Sequence, residues 1–246
     1  MRAILVWRAV DASRVVDVTW SRARSVHLVV AVVAVAALLL QTALVVSGAS
    51  VLAETEVPPL LTRTGRLISY FTIQSNLLVA VTAIQLTRDP ARDGRWWRVV
   101  RVAAVVGITV TGLVHFLLLR PLLDLAGANW LADKLLHMVV PVLAIAAWLL
   151  VGPRPRAPWR TAMTALAWPI AWLLWTLAVG AVTGWYPYPF LDVGVEGVAA
   201  VAVTCAAVTL VFVALASGLS VLDRRMPSSP VREPAPDPGR SPATAE

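Results

Sequence analysis

Two side chains that can act as a nucleophile and a base lie near the same end of two apolar stretches. Thr72 falls in the segment ISYFTIQSNLL and His137 in ADKLLHMVVP. A threonine hydroxyl is a weak nucleophile until a neighbouring base accepts its proton, and a neutral imidazole is such a base. If the two side chains approach to about 2.6–3.2 Å, the pair can attack the carbonyl carbon of an ester. The pattern therefore indicates acyl transfer through a threonine.

Four further side chains could support this pair. Asp133 precedes His137 by four residues, so it can accept a hydrogen bond from one ring nitrogen and fix the tautomer. The oxyanion formed on an attacked ester needs hydrogen-bond donors, and Asn76, Lys134 and His115 are the candidates. The sequence alone does not choose among these three.

The polar residues around Thr72 follow a helical spacing. Ser69, Thr72 and Asn76 are three and four residues apart, so a continuous helix places them on one face, with Gln74 on the far side. Hydroxyl and amide groups in membrane helices also join neighbouring helices by hydrogen bonds. For any one of Ser69, Gln74 or Asn76, this structural role is the favoured interpretation.

The composition is that of an integral membrane protein. Hydrophobic residues make up 59% of the 246 residues, only 14% are charged, and the mean hydropathy is +0.76. A bilayer core needs about 20 apolar residues per helix. Six stretches meet this requirement: 27–50, 67–87, 99–119, 133–151, 161–181 and 195–220. The sequence therefore predicts an all-α, polytopic membrane protein with six transmembrane helices.

Lys and Arg are distributed unevenly between the two sides of these helices. Seventeen of the 21 lie in the N-terminal segment, the second-to-third and fourth-to-fifth connections and the C-terminal tail. Cytoplasmic loops retain positive charge, so both termini are predicted to be cytoplasmic, in a plasma-membrane protein. Thr72, His115 and His137 then lie in the outer third of the bilayer, about 6 to 8 Å deep at 1.5 Å per residue. The net charge of +7 needs no nucleic-acid partner.

The chain divides into one transmembrane domain and two polar ends. Residues 26–222 form the six-helix domain, residues 1–25 a cytoplasmic segment suited to the inner membrane surface, and residues 223–246 a disordered cytoplasmic tail. Residues 51–53 resemble a signal-peptidase site, but the preceding apolar run is too long for a signal peptide, so an uncleaved helix is expected. The single cysteine, Cys205, supports neither a disulfide nor a metal site, and no cofactor is expected.

Three blocks carry a resemblance to a known family: YFTIQSNLL, LLHMVVP and VTGWYPYPFLD. In their order and helix placement they resemble the six-helix membrane family of the androgen-induced gene one protein and the androgen-dependent TFPI-regulating protein, in particular its prokaryotic branch. The resemblance spans about residues 20–222. The animal enzymes of that family hydrolyse fatty acid esters of hydroxy fatty acids with a threonine nucleophile and a histidine. By block position, the resemblance implies these two roles for Thr72 and His137.

The WYPYPFLD block precedes the last helix. Pro187 and Pro189 prevent a regular helix there, so Tyr186 and Tyr188 are expected on an outer loop. This loop can cover the polar layer or anchor the chain at the membrane interface, and the anchor is the favoured interpretation.

Other functions use the same residues. His115 and His137 lie on consecutive helices and could be axial ligands of a haem in an electron-transfer protein. The polar layer could also belong to a transport path for protons or a small solute, but such a path needs polar groups in the inner halves of the helices, which hold almost nothing ionisable. A further alternative is a non-catalytic membrane scaffold protein, which would need the helical fold but no reactive side chains.

The prediction that follows is a membrane-embedded lipid-ester hydrolase. Its partners are membrane lipids and an amphipathic ester, because a carbonyl near the headgroups with its chains in hydrocarbon matches the depth of the polar layer. The ratio of twenty arginines to one lysine, with abundant alanine and valine, suggests a bacterial origin.

Overall fold

The computed structural model describes residues 2–48 and 57–226, with side chains from residue 20 onward. All regular structure in these residues is helical, which confirms the all-α prediction. The α-helices are α1 (Arg2–Val46), α2 (Leu60–Ser69), α3 (Phe71–Arg88), α4 (Arg95–Val114), α5 (Gly127–Lys134), α6 (Val140–Val151), α7 (Trp159–Ala165), α8 (Ala167–Thr183), α9 (Val193–Glu196) and α10 (Val198–Arg225). π-helical turns occupy His115–Leu119 and Leu135–Val139, and 3-10 turns occupy Arg120–Leu122 and Pro189–Leu191.

Five stretches of the described chain are long and apolar enough to cross a membrane. They are Trp20–Val46, Arg95–Leu122, Gly127–Val151, Trp159–Thr183 and Val198–Arg225. α2 and α3 bend by 68° where they meet, and together they would make a sixth crossing. The fold is therefore a multi-pass helical bundle with five spans, or six with the bent pair.

The expected domain limits differ from the helix limits at both ends. α1 passes residue 25 without a break, and α10 continues to Arg225 rather than ending at 222. The side chains of residues 2–19, the cleavage-like residues 51–53 and the tail from 227 onward lie outside the described part of the chain. The interfacial segment, the uncleaved first helix and the disordered tail stay predictions.

The helices that lead to the candidate site pack through small side chains. α1 lies along α3, and both α1 and α4 contact α6. Their shared core is rich in alanine: Ala31, Ala34, Ala37, Ala80, Ala83, Ala104, Ala144 and Ala147. Small side chains allow helix backbones to approach closely, which is a common basis of helix association in lipid. This core holds α3, α4 and α6 together.

One end of the bundle gathers most of the described arginines, and we call it the arginine-rich end. Arg24 at the start of the first span donates through Nε to Thr87 O at 2.9 Å. Asp223 near the end of α10 accepts from the backbone N–H groups of Arg156 and Ala157, at 2.7 Å each. These bonds connect the start of the bundle, the α6–α7 connection and the last helix. The opposite end, which holds Thr72, is the site end.

The arginine-rich end also buries ionisable groups. His27 is 1% exposed and Arg101 is 7% exposed, and both lie within membrane-spanning stretches. The prediction that this half of the bundle holds almost nothing ionisable is therefore wrong. The count of Lys and Arg in the sequence places Arg101 at the second-to-third junction. In the structure α4 begins at Arg95, so Arg101 lies almost two turns inside this helix.

Candidate active site

Thr72 lies at the second position of α3, directly after a break in a helix that the sequence predicts as continuous from 67 to 87. Tyr70 is extended, with φ −66° and ψ 130°, and separates α2 from α3. The first backbone N–H groups of a helix have no carbonyl partner within the helix. The helical hydrogen bonds of α3 begin with the N–H of Ile73, which donates to Tyr70 O. The Thr72 N–H is therefore available to other groups.

Side chains from elsewhere stabilise this break, since neither glycine nor proline occupies it. Gln74 Nε2 donates to Ile68 O at 3.0 Å, and Trp172 Nε1 donates to Ser69 O at 2.9 Å. These bonds satisfy carbonyl groups that the break leaves open. Gln74 Oε1 also accepts from Trp168 Nε1 at 3.1 Å. Ser69 belongs to α2 rather than to the helix that carries Thr72.

His137 lies in the π-helical turn between α5 and α6. In an α-helix the N–H of residue 141 would donate to His137 O, but Pro141 has no N–H. In the observed turn Val140 donates to Leu135 O, five residues earlier. Gly112 of α4 allows close approach on this side, because a Cβ placed there would lie 3.3 Å from His137 O. π-turns are often found at functional sites, and the second one begins at His115.

Thr72 and His137 lie within hydrogen-bond distance of each other. Thr72 Oγ1 is 3.2 Å from His137 Nε2. His137 Nδ1 is 3.0 Å from both Asp133 Oδ1 and the backbone carbonyl oxygen of Asp133. A carboxylate and a carbonyl can only accept, so Nδ1 carries the ring proton and Nε2 presents a lone pair. Thr72 therefore donates to His137, and His137 donates to Asp133.

Asp133 has two further neighbours. Lys134 Nζ lies 2.9 Å from Asp133 Oδ2, and His115 Nδ1 lies 3.6 Å from Asp133 Oδ1. The His115 ring stacks on that of His137 with their centroids 4.1 Å apart and an interplanar angle of 14°. His115 is buried, and neither of its ring nitrogens has a hydrogen-bond partner among the described residues. The carboxylate is thus the common neighbour of three basic side chains.

Asn76 joins the helix of Thr72 to the turn of His137. Its Nδ2 donates to Thr72 O at 2.8 Å and to Leu136 O at 3.2 Å. The amide donors are used in positioning the two helices, which leaves none for an oxyanion. A second bond, between Ser75 Oγ and Thr111 Oγ1 at 2.7 Å, joins the same helix to α4.

His115, Asp133 and His137 each place one potential ligand atom within 4.8 Å of the others, a spacing that a metal ion could use. A metal ion binds imidazole along the nitrogen lone pair, which lies in the ring plane. Two parallel rings stacked at 4.1 Å cannot both direct a lone pair at one ion unless one ring rotates. The same stack leaves no room for a porphyrin between the rings, which axial haem ligation requires. The geometry favours a hydrogen-bond chain.

Tyr188 is the site residue that sequence reasoning missed. Its hydroxyl accepts from the Thr72 N–H at 3.2 Å and lies 3.3 Å from Thr72 Oγ1. The side chain is 7% exposed, so the interface-anchor interpretation is wrong for this residue. Burial raises the pKa of Tyr188, which keeps the hydroxyl protonated. The sequence indicates a Tyr- and Pro-rich loop that can cover the polar layer, but it does not show that Tyr188 contacts Thr72, 116 positions earlier.

Two cavities meet at Thr72 and Tyr188. The first, of about 120 Å³, is also lined by His115, His137 and the arginines Arg63 and Arg66. The second, of about 110 Å³, lies between α4, α8 and α10 and has mainly apolar walls: Val110, Leu166, Trp172, Leu173, Val208 and Phe212. The hydroxyl of Thr72 therefore lies where two cavities meet: the first contains the imidazole and charged side chains of the site among apolar ones, and the second is almost wholly apolar.

Comparisons with protein-family models, with curated proteins and with solved structures give no significant match.

Proposed function

We propose that this protein is a membrane-embedded lipid-ester hydrolase in which Thr72 is the nucleophile and His137 the base. The observation that carries the proposal is the hydrogen-bond chain from Thr72 Oγ1 to His137 Nε2 and from His137 Nδ1 to Asp133. Its direction leaves a lone pair on the nitrogen that faces the nucleophile. The resemblance of three sequence blocks to the six-helix hydrolase family supports the same pair.

In the first step, Thr72 Oγ1 attacks the ester carbonyl carbon while its proton passes to His137 Nε2. The carbonyl electron pair moves onto the oxygen and forms a tetrahedral oxyanion. As this intermediate collapses, the bond from carbon to the alkoxy oxygen breaks, and His137 gives its proton to the leaving alcohol. Asp133 stabilises the imidazolium that exists between these two transfers.

In the second step, water hydrolyses the acyl group on Thr72. His137 accepts a proton from the water as the water oxygen bonds to the acyl carbon. The bond from the acyl carbon to Thr72 Oγ1 then breaks, and His137 delivers its proton to Oγ1. The products are a fatty acid and the regenerated hydroxyl. The first cavity, which is lined by both residues of the pair, offers the water access to the acyl carbon.

The two cavities support an amphipathic ester as the substrate. The apolar cavity between α4, α8 and α10 can take a hydrocarbon chain, and the first cavity, which combines apolar walls with Arg63 and Arg66, can take the remainder of the molecule. The carbonyl carbon then lies at Thr72, where the two spaces meet. A small polar ester would leave the apolar cavity unfilled.

The same proposal includes six membrane crossings, both termini in the cytoplasm and a location in the plasma membrane of a bacterium. The distribution of Lys and Arg along the chain supports this orientation, with the bent α2–α3 pair as the second crossing. Thr72 would then face the outer leaflet. The scaffold, haem and transport alternatives would leave the ordered hydrogen-bond chain without a chemical role.

The test is activity-based labelling with a fluorophosphonate probe, together with turnover of a medium-chain p-nitrophenyl ester and a long-chain fatty acid ester. Thr72→Ala and His137→Ala should each abolish labelling and lower turnover by about 10³-fold or more. Thr82→Ala is the matched control, because Thr82 is a buried threonine of the same helix whose hydroxyl donates to Leu78 O. Turnover that is unchanged in both site variants would refute the assigned pair.

A further inference from the structure

The hydroxyl of Tyr188 contacts both the nucleophile and a free backbone donor. It lies 3.3 Å from Thr72 Oγ1 and 3.2 Å from Thr72 N. The backbone N–H can only donate, so the Tyr188 oxygen accepts from it. Thr72 Oγ1 already donates to His137, so the Tyr188 proton is directed at Thr72 Oγ1. Tyr188 is therefore the first donor of the chain that ends at Asp133.

These two donors are spaced to receive a developing oxyanion. Oxyanion-hole donors lie about 2.7–3.1 Å from the oxygen that they stabilise. Because Thr72 N and the Tyr188 hydroxyl oxygen are 3.2 Å apart, one oxygen atom can lie within this range of both. That oxygen is the one on the carbon that Thr72 Oγ1 attacks. When it arrives, the Tyr188 O–H rotates from Thr72 Oγ1 towards it, and the backbone N–H, which now bonds to the Tyr188 oxygen, bonds to it instead.

The start of α3 adds a favourable field at this point. The N-terminus of an α-helix carries a partial positive charge that stabilises anions within its first turn. Thr72 is the second residue of an 18-residue helix, and the break at Tyr70 leaves its N–H without an acceptor within the helix. An oxyanion on Thr72 therefore forms at the positive end of α3.

Packing fixes the position of the Tyr188 ring. It stacks on Phe190 with centroids 5.3 Å apart and an interplanar angle of 3°, and it meets Tyr70 edge-on at 5.7 Å. The ring of Trp172 lies on a third side, with its centroid 5.9 Å from that of Tyr188. A donor held in this way is preorganised, so stabilising a new charge costs little reorganisation.

Two of the three donors expected from the sequence are engaged elsewhere. Asn76 donates to two backbone carbonyls, and Lys134 is paired with Asp133. His115 is stacked on the ring of His137, on the side of Asp133. Only Tyr188 offers a side-chain O–H within hydrogen-bond distance of Thr72 Oγ1 among the described residues.

We infer that Tyr188 is a catalytic residue whose hydroxyl, together with the backbone N–H of Thr72, forms the oxyanion hole. The inference rests on the proposed esterase activity. As Thr72 Oγ1 bonds to the acyl carbon, the carbonyl electron pair moves to the oxygen, and both donors bond to that oxygen. No proton leaves Tyr188, because its raised pKa keeps the hydroxyl as a donor.

The test compares Tyr188→Phe with Tyr186→Phe, which removes a hydroxyl from the same loop. Tyr186 packs on Gly180 and is not placed in the site. In Tyr188→Phe, kcat for the p-nitrophenyl ester should fall about 10²- to 10³-fold with KM nearly unchanged, because one oxyanion donor is lost. Inhibition by an alkyl trifluoromethyl ketone, which forms a tetrahedral adduct, should weaken by a similar factor. Tyr186→Phe should match wild type in all three quantities.

Rates are normalised to the number of Thr72 sites labelled to completion by the fluorophosphonate probe, so misfolded protein does not enter the comparison. A kcat for Tyr188→Phe near the wild-type value, or equal inhibition of both proteins by the ketone, would overturn the role of Tyr188 while Thr72→Ala stays inactive. A raised KM with unchanged kcat would assign Tyr188 to substrate packing instead. Wild-type protein with no Thr72-dependent turnover or labelling would overturn the hydrolase proposal together with this one.

Discussion

Both ends of the bundle bury polar side chains, but they use them differently. At the site end, Thr72, His137 and Asp133 bond to one another in a chain whose donors and acceptors have a defined direction. At the arginine-rich end, Asp223 bonds to the backbone N–H groups of the α6–α7 connection. The first arrangement can pass a proton from one side chain to the next. In the second, the Asp223 carboxylate accepts from backbone N–H groups, which keep their protons.

The buried cations sharpen this difference. Arg101 has no hydrogen-bond partner for Nε or Nη2 among the described residues, and neither ring nitrogen of His27 has one. Between these groups and the site lies the alanine-rich core of α1, α3, α4 and α6. The buried cations therefore lack the ordered donor–acceptor pairing that joins the residues of the site end.

The largest expected effect comes from replacing the buried Asp133 by asparagine, with the same change at the buried Asp223 as the comparison. In Asp133→Asn the amide can donate to His137 Nδ1, which moves the ring proton to Nε2 and removes the lone pair that faces Thr72. We expect kcat to fall by about 10⁴-fold, the size that a tautomer change produces in a serine triad. Asp223→Asn should leave kcat per labelled site unchanged. Steady-state kinetics of both variants check the comparison, and equal losses of kcat would contradict it.

The sequence predicted the participants of the site better than its geometry. Residue type and depth were sufficient to select Thr72, His137, Asp133 and His115, because ionisable and hydroxyl groups are rare in apolar stretches. The break at Tyr70 could not be predicted, because the side chains that stabilise it come from elsewhere in the chain, one of them Trp172 on α8.

The placement of Tyr188 and the burial of Arg101 were missed for related reasons. Pro187 and Pro189 correctly excluded a regular helix, but the fold of the loop over Thr72 depends on aromatic contacts with Tyr70 and Trp172 that lie far apart in sequence. The sequence places Arg101 with the arginines of the junction, because positive charge usually lies at the ends of membrane helices. This placement fails because α4 begins six residues before Arg101.

A smaller effect is expected on stability when the carboxylate of Asp223 is removed. Asp223→Ala leaves the N–H groups of Arg156 and Ala157 without their acceptor, and Ala157 is buried. An unsatisfied buried donor costs about 1–3 kcal/mol, so the melting temperature in detergent should fall. Asp223→Asn retains an acceptor oxygen, so its melting temperature should fall less than that of Asp223→Ala. A melting temperature of Asp223→Ala equal to wild type would show that these bonds do not stabilise the arginine-rich end.

The smallest effect is expected for an ion pair at the same end that is open to solvent. Arg98 bonds to Asp93 through Nε and Nη2, and these bonds hold the pKa of Asp93 at about 2 instead of the usual 3.8. A lowered pKa in the folded state stabilises the protein above pH 4, and this contribution is lost as the pH falls from about 4 to about 2.

Asp93 is 37% exposed, so solvent screening limits the contribution of this pair to about 0–1 kcal/mol. Asp93→Asn should therefore change the melting temperature at pH 7 less than Asp223→Ala does, and the difference from wild type should vanish near pH 2. Asp93→Asn could instead lower the melting temperature more than Asp223→Ala does. Surface charge, rather than the bonds from buried backbone N–H groups to Asp223, would then hold the arginine-rich end together. The arginine-rich end would then differ from the site end in being held together by surface ion pairs, and not by a buried carboxylate that accepts from the backbone.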